Sequence, residues 1–107
     1  MRALLVVPAL RAAGHTVRHC LNGEAAERAL HDGGLFDVVF TDVVMPGTMS
    51  GLDLAAWCQA NIPAMAVIVA TGYTTQHIDA GVKVLSKPYS IETLLTELQY
   101  AVRVKRA

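Results

Sequence analysis

The sequence of 107 residues lacks several features that identify large classes of protein. Its two cysteines, Cys20 and Cys58, are too few and too far apart to predict a zinc site or a disulfide framework, so we expect a reducing compartment. Nine basic residues balance nine acidic ones, which leaves no net charge to recruit nucleic acid or an anionic membrane. The apolar run at residues 3–7 is soon interrupted by Pro8 and Arg11, so neither a signal peptide nor a membrane span is predicted. We expect a cytoplasmic protein.

Aliphatic side chains make up most of the apolar content. The sequence is 53% hydrophobic but only 6% aromatic, which predicts a core of Val, Leu, Ala and Ile. Such a core suits parallel strands that are covered by helices on both faces. A chain of this length has room for one core, so residues 1–107 are predicted to form a single α/β domain.

Strand and helix patterns alternate along the chain. The predicted strands are residues 3–7, 16–21, 36–40, 64–70 and 82–85. Five helices are predicted. The first ends at Gly14, the second runs from Gly23 to His31, and the third begins after Ser50, which forms a capping box with Asp53. The fourth occupies residues 74–80, and the fifth begins after Ser90. This alternation predicts a parallel sheet with right-handed crossovers. Because the first, third and fourth strands are apolar on both faces and the other two are not, the predicted order is 2-1-3-4-5.

The first predicted crossover is too short. Only residues 8–15 separate the first two strands, whereas a parallel crossover needs about a dozen residues or more. Either the chain is shortened there, or a loop that belongs there is missing from the sequence. The sequence alone leaves both explanations open.

Three of the predicted strands end in polar residues. Asp42 follows the third strand, Thr71 the fourth and Lys87 the fifth. Because ligands of open α/β sheets sit outside the carboxyl ends of the strands, these side chains are placed for chemistry. A carboxylate nucleophile, a hydroxyl donor and an ammonium counter-charge are sufficient to bind and accept a phosphoryl group.

The motifs around these residues resemble those of a known family. They read FDVVFTDVVMPG, MSGLDLA, VIVATGY and VLSKPYS, in that order. From about Leu10 to Val102 the chain is similar to the receiver domains of response regulators in two-component signalling, and most similar to receivers of hybrid histidine kinases. The resemblance implies a flavodoxin-like (βα)5 fold with strand order 2-1-3-4-5, which is the order this fold is known for.

The resemblance also implies roles for individual residues. Asp42 would accept a phosphoryl group from a histidine kinase or its phosphotransfer domain, and with the backbone carbonyl of Val44 it would ligate Mg²⁺. Thr71 would move toward the phosphoryl group, Lys87 would pair with it, and the Lys87–Pro88 peptide would be cis. The expected partners also include a covalently linked kinase or output domain, and a dimer is possible.

The chain departs from the family pattern at two places. The family places two acidic residues directly after the first strand to hold Mg²⁺, and here that position reads Val7-Pro8-Ala9. One missing segment, carrying both acids and most of the first helix, would explain this departure together with the short crossover. Val84 stands where the family usually has an aromatic residue that takes part in switching.

Three functions are therefore compared. The first is a phosphorylated switch that catalyses its own phosphorylation and slow hydrolysis but is not an enzyme in its biological role. The second is a degenerate receiver that acts as a docking module without phosphate. The third is a phosphatase with an aspartyl-phosphate intermediate, which is disfavoured because such enzymes need a second acid at the position of Val44.

Overall fold

The computed structural model describes residues 3–32, 36–44, 47–72 and 81–106. The helices are α1 (Ala3–Ala12), α2 (Gly23–His31), α3 (Gly51–Asn61) and α4 (Ile91–Arg106), and the strands are β1 (Val38–Asp42), β2 (Ala66–Thr71) and β3 (Lys83–Ser86). The short helix predicted at residues 74–80 lies outside the described residues. None of the described helices combines the length and the apolar character that a bilayer span needs.

The three strands form a parallel sheet in the order β1-β2-β3. Val38 to Asp42 of β1 pair with Ala66 to Ala70 of β2, and Ile68 to Thr71 pair with Lys83 to Ser86 of β3. These are the third, fourth and fifth predicted strands, and they are adjacent in the predicted order. The α/β class and this half of the sheet are therefore confirmed.

The prediction of a strand at residues 3–7 is wrong, because these residues belong to helix α1. An apolar run of this length fits a buried strand or a buried helix equally well. The helix ends at Ala12 and is capped at Gly14, whose φ of 97° allows the amides of Gly14 and His15 to bond back to Arg11 (3.0 Å) and Leu10 (3.1 Å). The first helix is thus present, so the expectation that most of it is missing is wrong. The short crossover is not observed either, because residues 3–7 are not a strand.

The strand predicted at residues 16–21 is not formed either. These residues have no regular secondary structure, although the guanidinium of Arg11 donates to the carbonyl of Val17 at 3.1 Å. A strand needs a hydrogen-bonded neighbour, and the predicted neighbour at residues 3–7 is helical. The first two strands of the predicted order therefore have no counterpart among the described residues.

Apolar side chains are buried on both faces of the sheet. Along β2, Val67 and Val69 point to one face and Ile68 to the other, and all three are nearly inaccessible to solvent. The first face is covered by side chains from α2 and α3, and the second by side chains from α1 and α4. The cluster on the first face comprises Leu30, Leu54, Ala55, Cys58, Met65, Val67, Val69 and Val82. The cluster on the second face comprises Leu10, Ile68, Leu85, Leu94 and Leu98.

The predicted helix starts are confirmed by their caps. The side chain of Asn22 accepts from the amide of Ala25 at 2.8 Å, and Ser50 forms the expected capping box with Asp53. Ser90 accepts from the amide of Thr93 at 3.0 Å. These short polar residues satisfy backbone donors that the first helical turn leaves unpaired, and they fix where α2, α3 and α4 begin.

Candidate functional site

The three candidate residues meet at the carboxyl edge of the sheet. Asp42 is the last residue of β1, Thr71 is the last residue of β2, and Lys87 directly follows β3. The amide of Lys87 donates to the carbonyl of Thr71 at 2.9 Å, which holds the end of β3 against β2. The amide of Val43 likewise donates to the carbonyl of Ala70 at 3.1 Å. Main-chain bonds thus align the three strand ends.

Asp42 and Lys87 form an ion pair. The ammonium nitrogen of Lys87 lies 2.9 Å from Oδ1 of Asp42, with the two side chains 34% and 26% exposed, respectively. Oδ1 itself is buried, and its contact with the ammonium joins opposite charges at a distance typical of a charge-assisted interaction. The carboxylate therefore faces a positive charge at the edge of the sheet.

Two threonines are the buried polar side chains among the described residues. Thr71 is 5% exposed and Thr41 is 6% exposed. The hydroxyl of Thr41 donates to the carbonyl of Asp42 at 2.9 Å, which steadies the end of β1. Val44, by contrast, is 83% exposed just beyond Asp42. Buried threonines therefore lie at the ends of β1 and β2, and the chain becomes exposed to solvent within two residues after Asp42.

Gly51 explains how α3 can begin so close to Asp42. Its amide donates to the carbonyl of Val43 at 2.8 Å, and a Cβ at this position would overlap the carbonyl oxygen of Asp42. Only glycine allows the two backbones to approach this closely. The MSGLDLA motif therefore has a structural reason for its glycine, which is to join the first turn of α3 to the end of β1.

Tyr89 also lies at this site, although no motif in the sequence marks it as a site residue. Its ring packs edge-on against Phe40, with centroids 5.9 Å apart and planes at 80°. Burial, and secondarily the negative charge of Asp42, raises the pKa of Tyr89 to about 12. The phenol is therefore within electrostatic reach of the carboxylate. The sequence feature that could have indicated Tyr89 is its position directly after Lys87-Pro88. The peptide between Lys87 and Pro88 is cis, as the resemblance implies.

The donor set does not by itself make a magnesium site. Mg²⁺ needs octahedral oxygen ligation, usually with one or two carboxylates and several waters. The described residues contain no cluster of three or more His, Cys, Asp or Glu side chains that could hold a metal ion. Asp42 supplies one carboxylate, and the ammonium of Lys87 already occupies the position of a cation beside it. The acidic pair was expected directly after a strand at residues 3–7, at Val7-Pro8-Ala9. These residues lie in helix α1, so the described part of the chain has no strand end at that position.

A parallel sheet between helical layers is the architecture of the doubly wound α/β class, and the carboxylate and the ammonium lie at the edge where that class binds its ligands. The model of the response regulator receiver domain family matches residues 2–99. The chain belongs to this family.

Solved structures show the same fold. The receiver protein from Sinorhizobium medicae WSM419 superposes with a TM-score of 0.84 at 22% identity, over 97% of this chain and 90% of that one. The CheY-like receiver domain protein from Methanospirillum hungatei JF-1 gives 0.84 at 20% identity, over 94% and 84% of the two chains. The receiver domain of a signal transduction histidine kinase from Syntrophus aciditrophicus gives 0.81 at 22% identity, over 94% and 81%. The chain thus has the fold of response regulator receivers and of the receiver domain of a histidine kinase.

Proposed function

We propose that this chain is the phosphoacceptor domain of a two-component phosphorelay. In this proposal a histidine kinase, or its phosphotransfer domain, passes a phosphoryl group to Asp42. The observation that carries the proposal is the 2.9 Å separation of Asp42 and Lys87 at the carboxyl edge of the sheet. Membership in the receiver family supports the same class of donor.

The proposed transfer forms one bond and breaks one. A carboxylate oxygen of Asp42 attacks phosphorus, and the phosphorus–nitrogen bond of the phosphohistidine breaks. The imidazole nitrogen leaves with the electron pair and takes a proton from the solvent, so the product on Asp42 is an acyl phosphate. The ammonium of Lys87 balances charge on the phosphoryl oxygens, and the hydroxyl of Thr71 donates to one of them. Hydrolysis by water then restores the carboxylate and releases inorganic phosphate.

The proposed role is switching rather than turnover of a separate substrate. The phosphorylated form would act on a partner or on a covalently linked kinase or output domain. Because a histidine kinase draws its phosphate from ATP, we place the exchange in the cytoplasm. Dimer formation stays a prediction.

A second candidate is a docking module that works without phosphate. It is favoured by the donor set of the site, because the described residues hold no cluster of three or more His, Cys, Asp or Glu side chains for a metal ion. No step of the proposed mechanism runs through Mg²⁺, so the two candidates are distinguished by phosphate uptake itself, which is measured with and without the metal. A domain that takes up phosphate neither with nor without Mg²⁺ would be the docking module.

The test is intact-mass spectrometry after incubation with a small-molecule phosphodonor. The protein is treated with and without Mg²⁺, and Asp42→Asn is run beside it. We expect a gain of one phosphoryl group that hydroxylamine removes, because an acyl phosphate is cleaved by this nucleophile. Asp32→Asn is the matched control, since Asp32 is an exposed carboxylate at the C-terminal end of α2.

The outcomes separate the candidates. Stable uptake that Asp42→Asn abolishes and Asp32→Asn retains supports the switch. No adduct under either condition contradicts it and supports the docking module. Rapid consumption of the donor without a lasting adduct would instead support the phosphatase.

A further inference from the structure

The loop that follows Asp42 is tied to the first turn of α2 by one side chain. Oε1 of Glu24 accepts a hydrogen bond from the hydroxyl of Thr48 at 3.0 Å and another from the amide of Met49 at 2.8 Å. These partners are 24 and 25 positions away along the chain. Glu24 therefore joins α2 to the segment that connects β1 to α3.

Glycines allow this contact to be close. Gly47 has a φ of 95°, and a Cβ there would lie 2.8 Å from Oε2 of Glu24. A Cβ at Gly23 would lie 2.8 Å from Cγ of Met49. Side chains are therefore absent on both sides of the contact, where they would push the loop away from α2. The glycines at positions 23 and 47 therefore allow residues 47–49 to lie against α2.

The carboxylate of Glu24 is suited to this task. Hydrogen bonds from its own backbone amide, from the hydroxyl of Thr48 and from the amide of Met49 lower its pKa. It is ionised at neutral pH, and hydrogen bonds to an ionised acceptor are stronger than those between neutral groups. It also lies in the first turn of α2, where the helix dipole favours a negative charge.

The same loop is fixed at its far end beneath the site. Gly51 donates to the carbonyl of Val43 at 2.8 Å and packs against the backbone of Asp42. The segment from Thr48 to Gly51 therefore has two anchors, one on α2 and one on the end of β1. A loop fixed at both points restrains the backbone that carries Asp42.

We propose that Glu24 is a positioning residue for phosphoryl transfer, holding residues 47–49 against α2 so that the backbone after Asp42 keeps a receptive geometry. This inference rests on the proposed function. Glu24 touches neither the donor nor the reacting atoms, and its effect passes through the loop. Loss of Glu24 should therefore lower the maximal rate of phosphorylation and leave the apparent affinity for a small donor unchanged.

The experiment compares Glu24→Ala, Glu24→Gln and Glu92→Ala. Glu92 is the matched control, because it lies in the first turn of α4 as Glu24 lies in the first turn of α2. The side chain of Glu92 is exposed. We expect Glu24→Ala to lower the maximal rate by about tenfold or more, in line with the loss of two hydrogen bonds to a charged group. Glu24→Gln should recover most of the rate, since its amide oxygen can accept from the same donors.

Amide hydrogen exchange provides a readout that does not depend on phosphorylation. Glu24→Ala should accelerate exchange at the amide of Met49, which the Glu24 carboxylate binds in the unaltered protein. Exchange at the amide of Asp53 should stay unchanged, because that amide is bound by the side chain of Ser50 at 3.1 Å. If Glu24→Ala fails to fold, Thr48→Val tests the same link by removing one of its two bonds.

The results divide clearly. Faster exchange at Met49 together with a lower maximal rate that Glu24→Gln restores supports the proposal. Faster exchange with an unchanged rate overturns the positioning role, and unchanged exchange overturns the anchor itself. If the unaltered protein takes up no phosphate, the proposed function fails, and the anchor is judged by exchange at Met49 alone.

Discussion

Gly51→Ala should damage both the fold and the site, because α3 begins against the backbone of Asp42. A Cβ at Gly51 would overlap the carbonyl oxygen of Asp42, and it would lie 2.6 Å from the carbonyl carbon and 3.0 Å from Cα of Val43. All three are backbone atoms, so no flexible side chain can rotate aside. Either the first turn of α3 or the end of β1 must move by more than an ångström.

The expected magnitude follows from two losses. Overpacking of this kind typically costs about 1–3 kcal/mol. The hydrogen bond from Gly51 to Val43, now 2.8 Å long, would also break, at a cost of about 1 kcal/mol. We expect the free energy of unfolding to fall by about 3 kcal/mol, which for a domain of this size lowers Tm by roughly 13 °C.

The assay is urea unfolding of Gly51→Ala and Gly72→Ala. Gly72 is the matched control because a Cβ there meets no heavy atom of the described residues within 4 Å, although it directly follows Thr71. The control should change the free energy of unfolding by less than about 0.5 kcal/mol, as ordinary surface substitutions do. Equal stability of the two variants would refute the close approach of α3 to β1.

Three further predictions concern other side chains. Lys87→Gln should slow phosphorylation of Asp42 by at least about tenfold in a stopped-time mass assay, because the positive charge facing the acceptor is lost, and an unchanged rate would rule out that role. Cys58 is fully buried, with a pKa raised to about 11 by desolvation and by the charge of Glu27, so a thiol reagent at neutral pH should label the partly exposed Cys20 first and Cys58 only after denaturant is added. Asp42→Asn should lower the pKa of Tyr89 from about 12 but leave it above 10, because the charge disappears while the burial remains; an ultraviolet titration against Tyr89→Phe measures this. Since folding raises this pKa, the associated stability is present below pH 10 and is lost as the pH rises toward about 12.

The placement of Asp42, Thr71 and Lys87 could be predicted because it follows from topology. Each residue ends a segment with a strong strand pattern, and the carboxyl ends of parallel strands share one edge of the sheet. The starts of α2, α3 and α4 were predictable for a similar reason, since their caps are local. Both kinds of inference use signals that lie within a few residues of the feature they predict.

The errors arose where the pattern was ambiguous or the contact was distant. Residues 3–7 are apolar at every position, so periodicity could not distinguish the helix that they form from a strand. The strand expected at residues 16–21 depended on that first error. Glu24 was missed because its partners lie far along the chain, and no local pattern announces a hydrogen bond between a helix and a remote loop.

The ion pair between Asp42 and Lys87 is better explained by function than by stability. Both side chains are partly exposed, and an ion pair in that setting contributes about 1 kcal/mol or less to folding. Yet main-chain hydrogen bonds at the ends of all three strands align the residues that carry it. A phosphoryl group on Asp42 would offer Lys87 a stronger acceptor, and the small energy of the existing pair would oppose that exchange only weakly. An arrangement of this kind favours a site that accepts phosphate over one whose charges are paired permanently.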